Sequence, residues 1–153
     1  MGAEPYWYFV PYEADIDAAL QKLRQREFKA GRYCPVTEFP EFPVDLNADT
    51  PLVEHGSIED VLNNIDENGT RSILDIQHAA LEPFDGTQIP FTTAFPLADS
   101  DLTSLFGTGR PTRDMVENND AMWERLERGS AIYVILFENH EPSEIFFAGY
   151  SFD

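Results

Sequence analysis

Apolar positions along the chain fall into short, differently spaced sets, and each spacing predicts an element. Tyr6-Trp7-Tyr8-Phe9-Val10 is aromatic and β-branched, ends at Pro11 and predicts a first strand. Asp15 then stands where a helix cap belongs. Ile16, Ala19, Leu20, Leu23 and Phe28 follow with helical spacing, and Gly31 supplies the stop. The cations of this helix, Lys22, Arg24, Arg26 and Lys29, lean toward its C-terminal half, where the helix dipole favours them. Residues 32–56 carry Pro35, Pro40, Pro43 and Pro51 without sustained periodicity. They predict a long loop, which in a compact domain is more often functional or mobile than ordinary. Ser57-Ile58-Glu59-Asp60 has the form of a capping box with Asp in the Glu place, and Val61, Leu62 and Ile65 extend it to a short helix closed by Asn68-Gly69.

Ser72-Ile73-Leu74-Asp75-Ile76 predicts a second strand, and residues 82–98, with Pro83, Gly86, Pro90 and Pro96, an irregular stretch. Asp99 or Ser100 can cap a helical turn through Leu102, Leu105 and Phe106 to Gly107. A further helix is expected from Pro111 through Met115, Val116, Met122, Trp123 and Leu126 to Gly129. Residues 131–137 are apolar on both alternating faces and predict a central strand covered on both sides. With residues 144–152 after the turn Asn139-His140-Glu141-Pro142, they predict a C-terminal hairpin. The sum is a single α+β domain over residues 1–153, a mostly antiparallel sheet of about four strands packed against three to four helices.

Length and composition agree with that picture. A chain of 153 residues, 42% hydrophobic and 13% aromatic, can bury a core and is far from the mixture that leaves chains disordered. Residues 131–137, the longest apolar run, are much shorter than the roughly 20 needed to cross a bilayer. The start, Met1-Gly2-Ala3-Glu4-Pro5-Tyr6, lacks the features of a secretory leader, and Tyr6 breaks the myristoylation pattern. Cys34 is the only cysteine, so no internal disulfide forms. These features lead us to expect a cytoplasmic protein that does not bind membranes.

Charge changes the picture most. The chain has 28 acidic and 10 basic residues, a formal net charge of -18. Such a field repels nucleic acid phosphates, which argues against direct nucleic acid binding, and favours a cationic partner. The cations all lie in residues 22–32, at Arg71 or in residues 110–128, whereas residues 33–70 hold nine acids and no Lys or Arg.

Motifs for chemistry are sparse. The chain has no Gly-x-Ser-x-Gly, no Walker or Gly-x-Gly-x-x-Gly loop and no His-Glu-x-x-His. His55, His78 and His140 lie on separate elements without the tight spacing of a zinc site, so neither metal nor cofactor is expected. Asn64, Asp66, Asn68, Gly69 and Asp75 fall at five places of an EF-hand loop. However, the first place is Asn, the last is the short Asp75, and Arg71 puts a cation where an apolar residue belongs; a helix-to-strand turn is the simpler reading. Acidic neighbours should raise the Cys34 thiol pKa and suppress its reactivity. Were Leu74 and Ile76 to face the core, Asp75 and Gln77 would share the opposite face, where a carboxylate can meet a ligand. The strand aromatics are expected in the core. Phe39, Phe42, Phe84 and Phe91 sit in proline-rich loops, where a ring either tucks under the loop or meets a partner.

The segments Ala19-Leu20-Gln21-Lys22-Leu23-Arg24-Gln25-Arg26-Glu27-Phe28-Lys29-Ala30-Gly31-Arg32-Tyr33, Gly69-Thr70-Arg71-Ser72-Ile73-Leu74-Asp75-Ile76 and Glu144-Ile145-Phe146-Phe147-Ala148-Gly149-Tyr150-Ser151-Phe152-Asp153 together resemble a family of small acidic proteins of actinobacteria and other large-genome bacteria with secondary metabolism. That family has no established activity or site residue, so no role carries over. The resemblance implies a bacterial cytoplasmic accessory protein in which the proline-rich loop at 35–51 is a variable part.

The leading expectation is a non-enzymatic acidic protein that engages a basic protein or peptide, of the inhibitor or immunity type or a peptide-binding accessory of a biosynthetic cluster. Its expected contact residues are Glu38, Phe39, Glu41, Phe42, Asp45, Asp49, Glu54, Glu59 and Asp60. One alternative is a small enzyme or small-molecule binder built on Asp75, Gln77 and His78, with carboxylates such as Glu82 or Asp85 splitting acid and base roles. Another is a DNA-mimic inhibitor, which requires acids spaced like phosphates along one face. A third is a structural subunit whose acidity serves solubility alone.

Overall fold

The computed structural model describes residues 3–48 and 55–152. Strand β1 (Pro5–Pro11) is followed by helix α1 (Ile16–Ala30), helix α2 (Ile58–Asn64), a 3₁₀ turn at Ile73–Asp75, and the short strands β2 (His78–Ala79) and β3 (Thr93–Pro96). Helices α3 (Asp99–Phe106) and α4 (Arg113–Glu117) come next, then a 3₁₀ segment at Asp120–Arg125 and the long strands β4 (Ala131–Glu138) and β5 (Glu141–Tyr150). No helix among the described residues is long and apolar enough to cross a membrane.

The strands form one sheet in the order β1-β5-β4-β3-β2. The long pairings, β1 with β5 and β5 with β4, are antiparallel, while β4 with β3 and β3 with β2 are short and parallel. The expected sheet of about four, mostly antiparallel strands is thus a mixed sheet of five. Strand alternation divides the apolar residues between two layers. Tyr6, Tyr8, Val10, Tyr133, Ile145 and Phe147 face α1, α2 and the first 3₁₀ turn. Trp7, Phe9, Val134, Leu136, Phe146 and Ala148 face α3, α4 and the second 3₁₀ segment.

Local chemistry sets the boundaries. Asp15 accepts a hydrogen bond from the Ala18 amide to start α1, and Gly31, with φ 67°, ends it in the left-handed conformation that glycine adopts without strain. Asn139 and His140, both at positive φ, form the two-residue turn of the β4–β5 hairpin, so β5 starts at Glu141, earlier than expected. Pro142 lies beyond the end of β1, where its missing N–H costs no ladder bond, and the register slips beside it. Tyr6 lies opposite Gly149, and its hydroxyl sits 2.5 Å from where a Cβ on that glycine would be.

Four expected stretches take other forms. Residues 72–76 are not a strand. The Ser72 hydroxyl accepts from the Leu74 amide and the Tyr8 hydroxyl from the Ile73 amide, so side chains satisfy donors that a ladder would otherwise use. The expected helix from 111 to 129 breaks at Asn118-Asn119. Asn119 accepts from the Met122 amide and donates to the Leu105 carbonyl, which restarts the chain as a 3₁₀ segment. The stretch at 82–98 contains β3, which is too short to show alternation. The short helix after Ser57 ends at Asn64, ahead of Asn68-Gly69.

Candidate functional site

The loop after α1 begins in the core. Tyr33 is buried, stacks on Phe28 with centroids 5.8 Å apart and meets His55 Nδ1 at 3.1 Å. The loop then emerges as an acidic, aromatic stretch. Glu38, Glu41 and Asp45 are exposed, and Phe39 is 50% exposed with the Arg71 guanidinium 4.6 Å over its ring. Arg71 also donates to the Glu38 carbonyl at 2.8 Å. Phe42, another expected partner contact, is half-buried. It packs on β1 against Trp7 (5.7 Å) and Tyr8 (5.2 Å), touching both faces of the sheet. Its ring thus covers the outer edge of β1, which otherwise exposes unpaired backbone. Glu59 and Asp60 are exposed on the first turn of α2, where the helix dipole favours acids, and Asp60 accepts from the Asn64 side chain at 3.2 Å. Asp49 and Glu54 lie outside the described residues.

Most cations are held elsewhere. Glu27, fully buried, binds Arg26 (3.1 Å) and Arg32; Lys22 binds Glu13 (2.6 Å), Arg113 binds Glu117 (2.7 Å) and Glu144 (3.0 Å), and Arg125 binds Asp101. Arg24 is largely buried and donates to the Leu74 carbonyl at 3.0 Å, so desolvation lowers its pKa. Glu38, Glu41, Asp45, Glu59 and Asp60 enter none of these pairs. Asp45 lies near enough to Arg32 to add, behind Glu27, to the rise in its pKa.

Asp75 does not share an open face with Gln77. It is 6% exposed, whereas Gln77 and His78 are exposed, so the structure does not bring the three together. Asp75 Oδ1 accepts from the Thr70 amide at 2.8 Å, and Oδ2 has no hydrogen-bond partner among the described residues. A Cβ on Gly69, itself at φ 71°, would stand 2.7 Å from that oxygen. Burial pushes the Asp75 carboxyl from 3.8 to about 6, and the Thr70 hydrogen bonds and Arg24 reverse only part of the shift. Burial likewise raises the Cys34 thiol, opposed by Arg71 and reinforced by Asp66, Glu38 and Asp75. The EF-hand pattern does not converge: Asn64 turns to Asp60, Asp66 accepts from the Asn68 amide, and Asp75 points inward. Among the described residues, no three His, Cys, Asp or Glu side chains gather where an ion could sit.

A groove of about 430 Å³ lies on the other face of the sheet, among strand aromatics expected in the core. Trp7, Phe9 and Phe146 of the sheet line it, together with Arg113, Val116, Glu117, Asp120 and Trp123, and Pro43 of the acidic loop joins them. Trp7 and Trp123 meet edge to face at 5.7 Å. Phe42 supports Trp7, and Tyr150 supports Trp123 at 5.5 Å. The signal available in the sequence was an aromatic on both faces of β1 with few helical residues between 97 and 129 to cover the second face. Compared with protein-family models, curated proteins and solved structures, the chain matches none, and its own geometry therefore carries the reading of the site.

Proposed function

We propose that the protein is a non-enzymatic binding module whose acidic surface engages a basic protein or peptide. One observation carries this reading. Lys22, Arg26, Arg32, Arg113 and Arg125 pair with acids outside the 38–60 surface, and Glu38, Glu41, Glu59 and Asp60 are exposed and without an ion pair among the described residues. A net charge of -18 then attracts a cationic partner over long range, and the half-exposed Phe39 ring offers an apolar anchor. The alternative site at Asp75 draws no support from a buried carboxyl with Gln77 and His78 turned away.

Two variants of equal net charge test the proposal. One changes Glu38, Glu41 and Glu59 to Gln; the other changes the exposed Glu124, Glu138 and Glu141 to Gln. The first should weaken binding of a blocked arginine-rich peptide several-fold more than the second, because unscreened charges within about 10 Å dominate at moderate salt. Equal weakening would reduce the acidity to a general field and remove the binding surface.

A further inference from the structure

The aromatic groove contains a cation site already occupied by one of the chain's own residues. The Arg113 guanidinium lies 3.9 Å over the Phe9 ring and is paired with Glu117 and Glu144, so ring and carboxylates hold it together. The same chemistry recurs further along the groove. Trp7 and Trp123 present indole surface beside Asp120, whose side chain makes no hydrogen bond or ion pair among the described residues. Each indole packs against a further ring, Phe42 for Trp7 and Tyr150 for Trp123, so little conformational entropy is lost when they receive a ligand.

We infer that this part of the groove binds an arginine side chain of an extended basic peptide, with the guanidinium against Trp7 and Trp123 and its charge facing Asp120. The inference rests on the basic-partner reading above and gives that partner a specific contact. Arginine fits better than lysine because its planar, weakly hydrated cation stacks on rings and forks onto a carboxylate. A groove of about 430 Å³ has room for the side chain and flanking backbone. Pro43, which also lines the groove, belongs to the loop that carries Glu38 and Glu41, so one peptide can lie along both.

The chain has only two tryptophans, both in this groove, so their emission reports occupancy directly. The full chain is titrated with a blocked Gly-Arg-Gly-Arg-Gly peptide and with its lysine and citrulline versions, following emission and heat together. The arginine peptide should shift the emission saturably. The citrulline peptide, of the same shape but uncharged, should bind about tenfold more weakly, and the lysine peptide in between. Asp120→Asn, an exposed change, should weaken the arginine peptide about threefold. Trp123→Phe, which keeps a ring in place, should weaken it further. Heat of binding without an emission change, or native affinity in both variants, would overturn the groove while leaving the acidic-surface reading intact. No heat and no emission change with any peptide would overturn both.

Discussion

Asp75→Asn should make the protein more stable at neutral pH, by an amount that disappears on acidification. The Asp75 carboxyl is held at about 6 in the fold against an ordinary 3.8. A tenfold change in proton affinity is worth about 1.4 kcal/mol, so the ionised folded form carries a penalty of about 3 kcal/mol. The sign follows from proton binding. Because the folded state holds this proton more tightly than the unfolded chain, stability falls as pH rises from about 4 through about 6 and is lowest above that. Asparagine has the same shape, keeps an oxygen for the Thr70 amide and cannot ionise. Its amide nitrogen takes the place of the unpartnered Oδ2, at a cost of about 1 kcal/mol. The variant should therefore gain about 2 kcal/mol near pH 7.5, and by the same linkage about half of the ionisation penalty should be gone near pH 5. The assay is urea unfolding of both proteins from about pH 5 to about pH 8, a range chosen to stay above the sequence pI near 4.2. Taking the difference between the proteins cancels the general effect of the other carboxylates. A difference that stays constant with pH, or a variant less stable throughout, would show that Asp75 is not a strained buried acid.

Other outcomes follow from packing. Gly149→Ala should cost about 2 kcal/mol in chemical unfolding, because its Cβ would lie 2.5 Å from the Tyr6 hydroxyl and 2.8 Å from the Ser130 carbonyl oxygen. His140→Gly should add about 1 kcal/mol by relieving a β-carbon at φ 65° in the hairpin turn, read as a higher melting temperature. Phe42→Ala should cost about 3 kcal/mol, against about 1 kcal/mol at most for Phe39→Ala. Peptide affinity, measured by calorimetry at a temperature where both variants are folded, should fall more for Phe39→Ala.

Elements whose signals were local were legible in the sequence. Asp15 and Gly31 bracket α1 as a cap and a stop, and Ser57 opens α2, because these residues act on backbone groups three or four positions away. Residues that act over longer range were not legible. Ser72-Ile73-Leu74-Asp75-Ile76 reads as a strand, yet the Tyr8 hydroxyl, 65 residues away, takes the Ile73 amide. The break at Asn118-Asn119 depends on a bond from Asn119 to the Leu105 carbonyl, which a helical apolar spacing hides. The candidate site divides in the same way. Exposed acids such as Glu38 and Glu59 follow from polarity alone. Whether Phe39 or Phe42 turns inward depends on the edge of β1, and the groove depends on bringing Trp123 onto Trp7.

The salt dependence of affinity bears most directly on the claim that clustered carboxylates draw a cationic partner. Calorimetric titration of the full chain with the arginine peptide should give an affinity that falls about tenfold or more between roughly 0.05 and 0.3 M salt, as screening shortens the reach of those charges. An affinity unmoved by salt, or no binding even at the lowest ionic strength, would contradict it.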